Sequence, residues 1–179
     1  GDLNRIALAS ALHDIGKIGI EEAILNKPEK LTQEEYEKMK KHTVIGWSML
    51  QNLKQYQEEP LVRIAEQICR WHHERYDGKG YPDGLKGDEI PISAQVVSLA
   101  DVYDALTNER VYKKAIPHEK ALEMIVTGEC GQFNPLLIEC LLEIKEDIPI
   151  QLMNAEHRNS WTPLGGCLLY TSPSPRDAH

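Results

Sequence analysis

The sequence predicts an all-α fold, a helical bundle with no sheet. Apolar residues recur at helical spacing in the long segments, and capping and proline signals separate those segments. No stretch alternates apolar and polar residues as a half-buried strand would. The 179 residues are 41% hydrophobic and 27% charged, a globular composition long enough for one core without staples.

Leu3, Ile6, Leu8, Leu12 and Ile15 predict a first helix over 3–14, with Gly16 and Gly19 near its end. Thr32-Gln33-Glu34-Glu35 is a capping box. The helix it opens is expected to reach about Tyr56, with Met39, His42, Ile45, Met49 and Leu53 on one stripe. Pro60 opens the next, along which Leu61, Ile64, Ala65, Ile68 and His72 recur. Residues 75–91, rich in glycine and proline, read as a loop. Ser93 is expected to cap a helix over 94–108 that places Val97, Asp101, Asp104 and Ala105 on one face. Pro117 opens a short helix with Ala121, Leu122 and Ile125. Asn134-Pro135 combines a cap with a proline at the first helical position, and Leu136, Leu137, Cys140, Leu141 and Ile144 are expected to form the last core face.

Twenty basic against 28 acidic residues leave a net charge of -8, which disfavours coating nucleic acid by bulk charge. A small phosphorylated ligand held by metal and a few local cations stays compatible with that balance. No apolar run approaches the ~20 residues of a membrane span. Cys69, Cys130, Cys140 and Cys167 form no C-x-x-C pair, so they are read as buried free thiols of a cytoplasmic protein.

The chemistry sits in the histidines and aspartates. His13-Asp14 ends the first helix, His42 lies on the stripe of the second, His72-His73 ends the third, and Asp101 lies inside the helix over 94–108. Each taken singly reads equally as a hydrogen-bonded core residue. Four helices each presenting such residues point to a shared cation, and His with Asp suits iron, manganese or zinc. The six side chains are therefore expected to converge on one pocket. Lys17 is either a surface lysine at a helix end or a donor to a phosphate oxygen. Arg110 and Lys113 are either an ordinary basic pair or a phosphate grip, and His118 is expected to be solvated.

His13-Asp14-Ile15-Gly16-Lys17, Lys27-Pro28, Leu31-Thr32 and His42 resemble the HD superfamily of metal-dependent phosphohydrolases. The run from His72 to Pro82 resembles the HD-GYP branch specifically. Leu99 to Thr107 and Arg110-Val111-Tyr112-Lys113 continue the likeness, which covers residues 6–143 in order. The resemblance implies a helical bundle that hydrolyses cyclic di-GMP to the linear dinucleotide or GMP. It also implies two or three iron or manganese ions that activate a bridging water. By motif position it makes His13, Asp14, His42, His72, His73 and Asp101 metal ligands, with Asp14 bridging. Lys17 would contact the scissile phosphate, Gly80-Tyr81-Pro82 would shape the substrate pocket, and Arg110 and Lys113 would hold phosphates. Receiver, sensory or cyclase domains are the partners such modules have. Two further readings stay open: hydrolysis of another nucleotide, and a signalling module that binds a partner through the Gly-Tyr-Pro loop.

The chain also departs from the family pattern. Gln95 stands where many members have Arg, and Asn134 where many have Asp. The family's upstream helix, with a further His ligand and in some members a Glu, would precede Gly1, so residues 1–150 are expected to be an N-terminally truncated domain of weakened metal binding. Residues 151–166 are read as an extension. Cys167 to Asp177 resembles a translated transposase sequencing adapter, so 167–179 are expected to stand outside the fold.

Overall fold

The sequence signals for helix starts are met at four places in the computed structural model, which describes residues 2–109 and 114–150. Among these residues there are eight α-helices and no strand, as the fold class requires. They are α1 (Asp2–Ser10), α2 (Glu22–Leu25), α3 (Gln33–Lys40), α4 (His42–Gln51), α5 (Pro60–Trp71), α6 (Ile92–Thr107), α7 (His118–Val126) and α8 (Pro135–Glu143). The Thr32 hydroxyl accepts from the Glu35 N–H at 3.2 Å, and Glu35 Oε2 accepts from the Thr32 N–H at 2.7 Å, completing the capping box. Pro60 opens α5, Pro117 occupies the N-cap of α7, and Asn134 Oδ1 caps α8 by accepting from Leu136 N–H at 3.0 Å.

Four expectations are corrected. The first helix stops at Ser10, and Ile15–Gly19 forms a separate 3₁₀ turn. The long second helix is broken at Lys41 into α3 and α4, and α4 ends at Gln51. At the break the side chains take carbonyls from the ladder: His42 Nδ1 bonds Met39 O at 2.7 Å and the Thr43 hydroxyl donates to Lys40 O at 2.9 Å. Ser93 lies inside α6, where its hydroxyl donates to Gln67 Oε1, and the N-cap position falls on Pro91. On α8, Leu141 is buried, whereas Leu136, Ile144 and Cys140 are exposed. The buried-thiol reading thus holds for Cys69 and Cys130 but not for Cys140.

One core, of Ala9, Leu50, Ala65, Ile68, Cys69 and Val97, joins α1, α4, α5 and α6. A second, around Leu106, Ala121, Leu122, Ile125 and Leu141, joins α6 to α7 and α8. Gly16 lets two backbones approach closely where the turn after Asp14 crosses α4. A Cβ on Gly16 would overlap His42 O and Gly46 N, so this crossing requires glycine. The contact seats the turn that follows Asp14 directly on the helix that begins with His42. Arg110, Lys113, Cys167 and the 151–166 and 167–179 segments lie outside the described residues.

Candidate metal centre

The other five expected ligands gather around Asp14, directly or within one contact of it. His13 Nε2 stands 3.3 Å from Asp14 Oδ2 and 3.5 Å from Asp101 Oδ1. On the other side of the carboxylate, His42 Nε2 is 3.4 Å and His72 Nε2 3.8 Å from Asp14 Oδ1. The two oxygens of Asp14 therefore face two different sets of histidines. His73 completes the second set: one ligand atom from each of Asp14, His42, His72 and His73 lies within 4.8 Å of the others.

The backbone aims three of these rings. Nδ1 of His13 lies 2.6 Å from Ser10 O, that of His42 2.7 Å from Met39 O, and that of His72 2.8 Å from Ile68 O. A carbonyl only accepts, so each Nδ1 carries the hydrogen and donates it. Burial lowers the His42 and His72 pKa values to about 4 and about 3, against the pull of Asp14. Both rings are therefore neutral near pH 7, with a lone pair on Nε2 turned inward. The Nε2 atoms of His42, His72 and His73 are buried and have no hydrogen-bond partner among the described residues. Converging lone pairs beside a carboxylate, with no donor between them, fit a cation and little else.

Burial presses the His13 pKa down, but Asp101 and Asp14 outweigh it and raise it to about 10. Burial likewise pushes Asp14 up, yet His13, Lys17 and His72 together hold its carboxyl well below the usual range. The site thus keeps Asp14 ionised and His42 and His72 neutral, the protonation states a divalent ion needs on that side, while His13 carries a proton that an ion would displace. Cys69 is no rival ligand: burial, with Asp14 and Glu66 nearby, pushes its thiol up to about 12, and Sγ donates to Leu12 O. Lys17 Nζ sits 2.9 Å from Asp14 Oδ2 and is largely buried, so it is not a solvated surface lysine.

The Gly-Tyr-Pro loop lies against this cluster. Tyr81 stacks on His73 with centroids 4.7 Å apart and planes 15° apart, and the Tyr81-Pro82 bond is cis. What holds the loop was not anticipated from sequence. Glu74 is 2% exposed and accepts from the N–H groups of Asp83 at 2.7 Å, Gly84 at 3.0 Å and Leu85 at 3.0 Å. Asp83 in turn takes two donors from Arg70 and one from Trp71. A carboxylate directly before a glycine-rich turn, whose main-chain N–H groups need acceptors, was the available signal. Replacing Glu74 with Ala is expected to cost about 2 kcal/mol and lower the melting temperature by roughly 5 °C, measured by circular dichroism.

The two departures from the family pattern meet each other. Asn134 Nδ2 donates to Gln95 Oε1 at 3.0 Å, and Gln95 Nε2 donates to Ile90 O at 2.8 Å. Gln95 is buried, so this neutral pair closes a junction between α6 and α8. His118 is half-buried and shares a 2.7 Å hydrogen bond with the Tyr103 hydroxyl, correcting its reading as solvated.

Comparison with known proteins agrees with this geometry. Residues 2–135 match the HD domain family. A probable cyclic di-GMP phosphodiesterase of Vibrio cholerae is 42% identical over 159 residues, 87% of this chain and 36% of that protein. A cyclic di-GMP phosphodiesterase of Thermotoga maritima is 42% identical over 146 residues, 82% of this chain and 39% of that protein. A 3'3'-cGAMP-specific phosphodiesterase 2 of Vibrio cholerae is 41% identical over 142 residues, 79% of this chain and 26% of that protein. The chain thus spans between about a quarter and two fifths of the length of these relatives. A family match over residues 2–135, together with relatives more than 40% identical, means that the chain belongs to the HD domain family, and it carries the Gly80-Tyr81-Pro82 loop of the HD-GYP branch.

Proposed function

We propose that this domain is a metal-dependent phosphodiesterase that opens cyclic di-GMP to the linear dinucleotide, with GMP as a further product. The observation that carries the reading is the Asp14 carboxylate with one oxygen toward His13 and the other toward His42 and His72. A carboxylate so placed would suit a bridging role, with His13 and Asp101 available to hold metal on one side of it and His42, His72 and His73 on the other. Histidine and aspartate donors are compatible with iron or manganese, the ions that the family resemblance implies. Bound there, such ions supply positive charge to the phosphoryl oxygens and acidify water.

The chain's own residues do the rest. Lys17, beside Asp14, offers its ammonium to a non-bridging phosphate oxygen. Tyr81 and Pro82 wall the pocket where a base would lie, and Arg110 and Lys113 would grip phosphate. The free thiols support a reducing cytoplasm, and fused receiver, sensory or cyclase domains would supply the input. No described helix is long and apolar enough to cross a membrane.

The relative named for 3'3'-cGAMP makes that dinucleotide the substrate to compare. The test is turnover of both cyclic dinucleotides by the chain loaded with Mn(II) or Fe(II), with products separated by chromatography. Cyclic di-GMP is expected to be opened faster. No opening of either dinucleotide by the loaded chain would sink the reading.

A further inference from the structure

A metal-binding imidazole is normally aimed by a hydrogen bond from its second ring nitrogen. His13, His42 and His72 follow that rule through backbone carbonyls. His73 has no such bond among the described residues, although its Nε2 is buried and faces the same cluster. Its ring is held by other rings instead. Tyr81 covers one side in a near-parallel stack, His72 lies 4.1 Å away by centroid, and His42 meets it edge-on at 5.1 Å.

Tyr81 is anchored to the residue it covers. Its N–H donates to His73 O at 3.2 Å. Gly80 permits that approach, because a Cβ there would overlap His73 O and the Glu74 backbone. Tyr36 of α3 meets the Tyr81 ring edge-on at 6.3 Å, and the Lys40 ammonium lies over it at 5.7 Å. Glu74 fastens the loop just beyond.

We propose that Tyr81 is a positioning residue for the metal centre: its ring does for His73 what backbone carbonyls do for the other three histidines. This rests on the metal-centre reading above. An imidazole with no bonded Nδ1 turns about its χ2 axis and carries Nε2 off target. Turning against a parallel ring at this spacing drives its edge into the tyrosine, so the stack resists it. The ring's hydroxyl has no part in this, and a phenylalanine serves as well. The loop that walls the substrate pocket therefore also sets the geometry of one ligand.

The test uses the full 179-residue chain and Mn(II) alone, with affinity read by calorimetry. Co(II) absorption in the visible range reports ligand geometry independently of activity. Tyr81→Leu is expected to weaken Mn(II) at least tenfold and to shift the Co(II) bands. Tyr81→Phe should stay within about twofold of the unsubstituted chain, with its Co(II) spectrum unchanged. Circular dichroism checks that both variants are folded. Tyr81→Leu binding Mn(II) as tightly as the unsubstituted chain, with unchanged Co(II) bands, overturns the positioning role and leaves the metal centre standing. Equal losses in both variants also overturn it, since the hydroxyl rather than the ring would then be responsible. An unsubstituted chain that binds no Mn(II) overturns the metal centre itself and the positioning role with it.

Discussion

Asp14→Ala is expected to abolish both metal retention and turnover of cyclic di-GMP. Asp14 stands within 4 Å of the side-chain nitrogens of His13, Lys17, His42 and His72. Without its carboxylate the site keeps imidazoles but loses the anion that both sets of ligands face. Loss of an outer partner already costs about 10–100-fold in metal affinity, and a bridging ligand should cost more. Asp14→Asn keeps the shape and removes the charge, so it separates charge from packing; it too should fail to hold metal. Elemental analysis after desalting gives the metal content, and product chromatography gives the rate. Retention of full metal content and rate by Asp14→Ala would defeat the bridging role.

Lys17→Met should behave in the opposite way, keeping the metal and losing rate by about 100-fold, the usual scale for one donor aimed at developing charge. Methionine preserves most of the apolar stem and removes the ammonium, so the change is chiefly one of charge. The ammonium lies 2.9 Å from Asp14 Oδ2, and its removal takes away one cation that would compete with metal for that oxygen. Metal content should therefore be unchanged or slightly higher. The informative measurement is kcat at saturating metal. A variant that recovers full kcat once metal is raised would show that Lys17 acts on metal binding and not on the phosphate.

Features written in local chemistry were legible before any coordinates. Thr32 with Glu35, Pro60, and Asn134 with Pro135 satisfy helix ends within a few residues of themselves, so they need no tertiary partner to act. The six candidate ligands were legible because their types are costly to bury and their motif is specific. Features decided by distant contacts were not. Lys41 carries no breaker, and the helix divides there because His42 and Thr43 turn their side chains onto carbonyls of α3. On α8 nearly every position is apolar, so spacing could not tell that Leu141 faces the core while Leu136 and Ile144 face out. Glu74 escaped notice because its partners are main-chain N–H groups, which carry no side-chain signature.

Asp14, His42, His72 and Asp101 are spaced roughly every thirty residues along the chain, each at or within a different structural element. In polymer terms, ions held by all of them would cross-link the chain at four evenly spaced points. Such a cross-link exists only when every segment is in place, because the unfolded chain has no way to bring them together cheaply. Neither the turn at Asp14 nor α4, α5 or α6 could then leave without releasing an ion. The regions that would otherwise open independently become one cooperative unit, and a thousandfold excess of metal over its dissociation constant would add about 4 kcal/mol to the stability of all of them at once.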